Sequence, residues 1–551
     1  MLITQLKEWT ERLLPVALAS LLCAAAQAAA PGITGAPGTP AFNLIAEPAN
    51  INQPDGNQVY SWGYGCNPAA PAPGYVPAAI TNAKCPAMQI PGPTLVVTEG
   101  DSVTVNLTNN LPTAAGNTSI LFPGFQVKSV GGTPGLLAQE AAPGGTVTYT
   151  FTATSPGTRT YYSGTQSDLQ IEMGLYGVII VLPKNVPAVC TSGLHAANLA
   201  AEAAHGEKDF RLAAAAYDNP KTCYDREYLF QFAEMDPTIH QAALAQVNAL
   251  TGCVAGSPGC SLLVPTEPYH PAYFLINGRS MPDDMDANYA SEYPNQPYNG
   301  NPHLHPGEQV LLRIVGQGHW QHPFHEHANH VRILARDGNL ILSQVPGSNP
   351  AVVDPTDLAG PLLFTTTTTP GVAMDGIFYW TGRGLNWDAY GHNPKSTDPL
   401  ATLACTPDAN GYNTGFAPTD TTYSGPVNTA VAGAINYYEW CADHNKPLEA
   451  TPVGDVPAGG PATLPNPNIL TNGAWFSGSP YLGPDATVRA TGPNSSFQPA
   501  NTQANPPEER GFAFMWHSHN EREITTNNVF PGGMFMMMLV DSREFVIDES
   551  K

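Results

Sequence analysis

Charge is scarce in this chain, and most of it has one sign. Asp, Glu, Lys and Arg make up 12% of the 551 residues, with 45 acids against 22 bases and a formal net charge of −23. Phosphate backbones and anionic lipid surfaces repel a polyanion, which argues against nucleic acid and such membranes and leaves cations and basic partners. No Cys-x-x-Cys occurs, so a cysteine zinc site lacks its usual spacing. No Gly-x-Ser-x-Gly occurs either, so a hydrolase elbow finds no support. Beyond the N-terminus no apolar run reaches the roughly 20 residues that a membrane span needs.

Glycine and proline, by contrast, are abundant, at 52 and 55 residues. Such punctuation suits many short strands joined by turns and is poorly tolerated in long helices. The N-terminus carries Lys7 and Arg12, the apolar run "LLPVALASLLCAAA", and then Ala26-Gln27-Ala28. That pattern reads as a secretory signal peptide over residues 1–28, and hence as an exported protein of the periplasm, cell surface or extracellular space. Without Cys23 the cysteine count is eight, which in an exported chain favours disulfides. Pairing of neighbours is the simplest scheme: Cys66–Cys85, Cys190–Cys223, Cys253–Cys260 and Cys405–Cys441.

At this length two or three domains are expected. Strand-like runs, β-branched and alternating, appear at "TLVVTEG", "SVTVNLTNNL", "GTVTYTFTA" and "GLYGVIIVLP" and predict an all-β sandwich over 42–185. Residues 186–265 read as a connector with short helices around one strand, "REYLFQFAEM". Strands resume at "AYFLINGR", "EQVLLRIVGQ", "HVRILARDGNLILS", "LLFTTTTT" and "GIFYWTG", and the chain closes with "GFAFMWHSHN" and "GGMFMMMLVD". A second sandwich over 266–551 then carries a loop-rich insertion at about 382–509. Three domains is the alternative count.

The chemistry sits in "HPFHEHANH", His322 to His330. Residues two apart on a strand share a face, so His325 and His327 point one way while Phe324 and Glu326 point the other. In "WHSHN" the same parity joins His517 to His519. If the two segments are neighbours, four imidazoles converge. Protonated rings in that position would repel, so convergence makes sense with neutral rings around a cation. Imidazole is a favoured ligand of copper, zinc, iron and nickel. The plain alternative is histidines satisfied by solvent or by the core.

"HPFHEHANH" resembles the His-Pro-x-His-x-His motif of the multicopper oxidases, a cupredoxin-fold family that includes laccases. "PGEQVLLRIVGQGHWQHPFHEHANHVRILARDG", "FLINGR", "GPTLVVTEGDSVTVNLTNNLP", "GLYGVIIV" and "FMWHSHNEREITTNNVFPGGM" are similar to further segments of that family. The resemblance implies Greek-key cupredoxin-like β-sandwiches and copper as cofactor, with zinc or manganese left open. Family members hold a trinuclear copper cluster with four His-x-His pairs and a separate type 1 copper with one cysteine and two histidines. Carried over, His325, His327, His517 and His519 fall at cluster positions and His322 at a type 1 position. The first-domain motifs read Leu121-Phe122-Pro123-Gly124 and Tyr161-Tyr162-Ser163-Gly164, without histidine. Ser518 stands where the family has its cysteine, and the next type 1 histidine falls near Glu523. Two-domain relatives often trimerise, so a homo-oligomer is implied, as is a small-molecule or metal-ion electron donor.

Other residues admit a chemical and a bland reading. His303, His305 and His319 are either a second weak metal site or exposed loop histidines. His330 reads as a residue supporting the ligands, and Glu326 as a surface or interface carboxylate. Asp168 and Glu172 read as solvated loop acids, with oxygen ligation across an interface as the sharper version. Met534, Met536 and Met538 share a strand face and read as core filling, with Met534 the axial candidate by resemblance. Thr365 to Thr369 read as an edge strand without chemistry. "GIFYWTGRGLNWDAYGH", with Arg383 and His392, is either a pocket wall or aromatic packing. The leading reading is an exported copper-binding protein with a reduced histidine site and oxidoreductase chemistry outside the laccase relay. Its rivals are a non-catalytic metal-binding or cell-surface structural protein and a copper reductase of the nitrite-reductase type.

Overall fold

Burial alternates along Ser102–Asn109 and again along Thr146–Thr152, so that Val103, Val105 and Leu107 face inward with Val147, Tyr149 and Phe151. The two strands pair antiparallel, with Val105 opposite Tyr149. A computed structural model of the chain describes residues 29–192, 195–196, 199–200, 202–203, 206–345, 347–348, 352–380, 478–481, 511–541 and 546–550. The leader expected at 1–28, almost all of the 382–509 insertion, and the Cys405–Cys441 pair lie outside the described residues.

Two five-stranded sheets form the first sandwich. One runs in the order Gln58–Cys66, Ala41–Asn52, Ser102–Asn109, Thr146–Thr152, Lys128–Val130. The other runs Gly157–Tyr162, Tyr176–Leu182, Leu95–Thr98, Gly32–Thr34, Gly74–Val76. The main apolar core lies between them. Disulfides Cys66–Cys85, Cys190–Cys223 and Cys253–Cys260 form as the neighbour scheme predicts.

The second sandwich pairs a sheet ordered Tyr273–Ile276, Arg226–Met235, Gln309–Gly316, Ala373–Tyr379, Val331–Arg336, Asn339–Leu340 with one ordered His303–Leu304, Phe535–Asp541, Gly511–Ser518, His322–Glu326, Thr365–Thr368. Both sandwiches are built of strands, which makes the chain an all-β protein. Arg226–Met235 is buried along its whole length, because a strand covered on both faces shows no alternation. Its outer side meets the first sandwich: Ala233, Met235 and Leu275 pack on Ile90 and Tyr176, while Leu229, Val315 and Ala373 pack on Val178 and Ile180. Asp375 latches the seam, accepting from the Thr158 N–H at 3.1 Å and its hydroxyl at 2.6 Å.

Local signals decide the ends of the elements. The connector helix spans Pro237–Ala249 and starts earlier than the "ALAQVNALTGC" run, because Asp236 caps the Thr238 N–H at 2.8 Å and Pro237 suits the first turn. Asp337 and Gly338, at φ 48° and 70°, form the tight turn between Val331–Arg336 and Asn339–Leu340. Among the described residues no helix is long and apolar enough to cross a membrane.

Candidate metal centre

Strand register creates the site. His322–Glu326 runs antiparallel to Gly511–Ser518 with His325 directly opposite His517. Parity then sends Phe324 and Trp516 into the core, where Phe324 lies 4.7 Å from the Phe232 ring and 6.0 Å from Trp516. The imidazoles project from the other face. The Trp516 indole donates to the His327 carbonyl at 3.1 Å, and the His519 N–H donates to the Pro323 carbonyl at 2.8 Å. Ala328, at φ 84°, turns the chain sharply after His327, a conformation rarely adopted by a residue with a Cβ.

The four rings cluster closely. Centroids of His325 and His519 are 4.9 Å apart, His325 and His327 4.8 Å, His327 and His517 5.0 Å, and His517 and His519 5.7 Å. Burial, reinforced by the neighbouring imidazoles, pushes His325 down to about 4 and His327 down to about 3. Burial also lowers His517. At neutral pH these rings are uncharged and offer lone pairs, the form in which imidazole binds metal. His517 Nδ1 lies 2.7 Å from the Ser518 carbonyl, which can only accept, so this nitrogen carries the proton and Nε2 the lone pair.

The donor set suits a single ion better than a cluster. Nε2 of His517 and Nε2 of His327 are 3.2 Å apart, close to the ~3.3 Å expected of two nitrogens on one tetrahedral ion at ~2.05 Å. Among the described residues, however, no three His, Cys, Asp or Glu side chains are already disposed to hold an ion. Ring rotation is therefore needed to close a shell of three or four. His519, with 56% of its side chain exposed, has the most freedom to move.

His322 does not join the patch. It is fully buried between two carboxylates, with Nδ1 2.9 Å from Glu523 and Nε2 2.9 Å from Glu234. Burial opposes its charge, yet the two carboxylates outweigh that and lift it to about 9. Ser518 donates to the same Glu523 carboxylate at 2.5 Å, and Asn520 donates to its other oxygen at 2.8 Å. The position that resembles a type 1 copper site is thus filled by an imidazolium held between carboxylates. It presents neither a thiolate nor a free imidazole nitrogen, so it does not fit that metal.

The first-domain positions that correspond to the family's histidines are Leu121, Pro123, Tyr162 and Gly164, all half-buried and none with a metal-binding imidazole. Beside them Phe122 packs 4.9 Å from Phe151 and 5.8 Å from Tyr161, whose hydroxyl donates to the Pro93 carbonyl at 2.7 Å.

Several sequence expectations are corrected. His303 and His305 are not exposed: both are buried, His303 2.7 Å from Asp541 and His305 2.7 Å from Glu207. Burial works against a charge on His305, but Glu207 and Glu308 outweigh it and raise its pKa. Glu326 is no surface acid. It is buried in the core, accepts from Thr366 at 2.5 Å, and is pushed well above the usual carboxylate range by burial. Glu172 is buried rather than solvated, accepting from the Asp236 N–H at 2.6 Å and the Tyr269 hydroxyl at 2.7 Å. Asp168 stays exposed and accepts from Thr266 at 3.1 Å, away from the patch. His319 is partly exposed, 3.9 Å from Glu172. His330 stacks on Phe364 with centroids 3.6 Å apart. Met534, Met536 and Met538 are fully buried core residues. Arg383 and His392 lie outside the described residues.

Sequence reasoning missed Glu234 and Thr365. Glu234 lies in a strand that also holds Glu227, and two carboxylates in a run without alternation were the available signal. The Thr365 hydroxyl lies 2.7 Å from His325 Nδ1, so the threonine run does carry chemistry.

Two β-sandwiches with an imidazole patch on a strand face of the second define an all-β protein with a candidate metal site. Residues 80–186 match the family model described as multicopper oxidase. It is 37% identical over 103 residues to "Multicopper oxidase MCE" of Talaromyces pinophilus, which covers 18% of this chain and 16% of the relative. It is 34% identical over 99 residues to "Laccase abr2" of Aspergillus fumigatus, covering 17% and 16%, and 36% identical over 116 residues to "Copper resistance protein A" of Pseudomonas syringae pv. tomato, covering 20% and 18%. The matched segments thus span less than a fifth of these relatives. A solved structure, "Multicopper Oxidase mgLAC", aligns over 92% of this chain and 88% of its own at 14% identity, with a TM-score of 0.41. The family match falls on the first sandwich, the half without ligand histidines.

Proposed function

We propose that this chain is an exported copper protein whose site is a single-ion imidazole cage: His325, His327, His517 and His519. The observation that carries this reading is the 3.2 Å approach of the His327 and His517 Nε2 atoms within a group of uncharged rings. Copper, when bound, would supply one-electron and Lewis-acid chemistry at an open coordination position. The residues themselves hold three or four neutral nitrogens near the surface, and exposed His519 leaves that side open to a small-molecule or metal-ion electron donor. Ser518 and His322 cannot pass electrons as a type 1 centre does, so turnover takes a direct route from donor to cage.

The test is metal stoichiometry on protein purified from its native compartment, beside His325→Ala. About one copper per chain, reduced in the variant, is expected. Metal-free native protein, or a variant that keeps its copper, overturns the reading. Zinc at the same stoichiometry would keep the cage and remove the redox chemistry.

The His322 clamp specifically favours a second reading, metal binding without turnover, since it closes the usual route for electrons. Dioxygen consumption with phenolic, Mn(II) or Fe(II) donors, abolished in His517→Ala, removes that alternative.

A further inference from the structure

The threonine strand Thr365–Thr368 lies at the edge of the patch-bearing sheet and pairs with His322–Glu326, His325 opposite Thr365. Its hydroxyls divide by parity. Those of Thr366 and Thr368 turn inward, to Glu326 at 2.5 Å and to the His322 carbonyl at 3.2 Å. Thr365 instead lies 2.7 Å from Nδ1 of a patch histidine. We propose that Thr365 is a positioning residue for the imidazole cage, its hydroxyl accepting the Nδ1 proton of His325 so that Nε2 is the nitrogen left to bind metal. This rests on the single-ion reading above.

The inference follows from hydrogen-bond chemistry. A neutral imidazole has one donor and one acceptor nitrogen, and a partner on one nitrogen sets the role of the other. Neutral His517 is fixed the same way by the Ser518 carbonyl. Two patch rings then carry their proton on the same nitrogen, Nδ1. The Phe364 backbone is a second hydrogen-bond partner of His325. Loss of the hydroxyl should therefore weaken the restraint without abolishing it, near the lower end of the 10–100-fold effects typical of residues that orient ligands.

Two measurements on the full chain test this. The first is 15N NMR of histidine-labelled, metal-free wild type, Thr365→Val and Thr365→Ser, with the His325 signals assigned from His325→Gln. The second is copper(II) affinity by titration for the same three proteins. Wild type and Thr365→Ser should show an Nδ1–H tautomer for His325. Thr365→Val should show a tautomer mixture and bind copper(II) about tenfold more weakly. An unchanged tautomer and affinity in Thr365→Val overturn the positioning role and leave the metal cage standing. A tautomer change without copper binding in any of the three supports the positioning role and overturns the metal cage.

Discussion

The Nε2 atoms of His327 and His517 face each other at 3.2 Å across two antiparallel strands. His517 Nε2 carries the lone pair, so neutral His327 donates to it from Nε2, and a cation bound there would require that proton to shift to Nδ1 of His327. Bound metal should stabilise the fold, by about 2.7 kcal/mol at a free concentration 100 times Kd. Thermal melts with and without copper(II) should differ for wild type and coincide for His327→Ala/His517→Ala. Equal stabilisation of that double variant would put the metal elsewhere.

Copper-loaded protein should lack intense absorption near ~600 nm, since that band needs a copper–thiolate bond and Ser518 supplies a hydroxyl. Ser518→Cys alone should not create it, because His322 stays clamped by Glu234 and Glu523. A blue Ser518→Cys protein would show that the clamp yields to metal.

The same clamp gives stability a pH dependence. His322 is raised in the folded state to about 9 from 6.5, so its stabilisation is complete below pH 6.5 and lost as pH rises through about 9. The full effect is of the order of 3 kcal/mol. Denaturant midpoints of wild type and Glu523→Gln should lie far apart at pH 6 and approach one another by pH 10. A gap that stays constant would place the proton elsewhere.

Glu326 gives the same slope from a different cause, burial rather than charged partners. Its folded pKa is raised well above 4.5, so unfolding releases a proton once pH exceeds 4.5 and the native state loses stability as pH climbs. Glu326→Gln keeps an acceptor for Thr366 and removes that cost. Its melting temperature should match wild type near pH 4 and exceed it increasingly towards pH 8. A variant less stable at both values would mean the carboxyl is ionised in the core.

Much of the site was legible because parity is a local property. His325 and His327 share a face by counting, and so do His517 and His519; the antiparallel register supplied what counting cannot, their juxtaposition. The strand Arg226–Met235 was legible from its run of apolar and aromatic residues. The fate of His322 was not, because its partners Glu234 and Glu523 come from 88 and 201 residues away and no local spacing shows that they converge on it. His303 and His305 misled for the same reason. A histidine in a Pro- and Gly-rich segment reads as exposed until the distant strand Phe535–Asp541 covers it.

The strand face bearing the cage belongs to one sheet, whereas the apolar seam with the first sandwich is built by Leu229, Ala233, Met235, Leu275, Val315 and Ala373 of the other. Catalytic drift and interdomain fit are therefore separate problems for this molecule. The seam latched by Thr158 and Asp375 could be remodelled, or the leading half exchanged for a cousin's, with the imidazoles none the wiser.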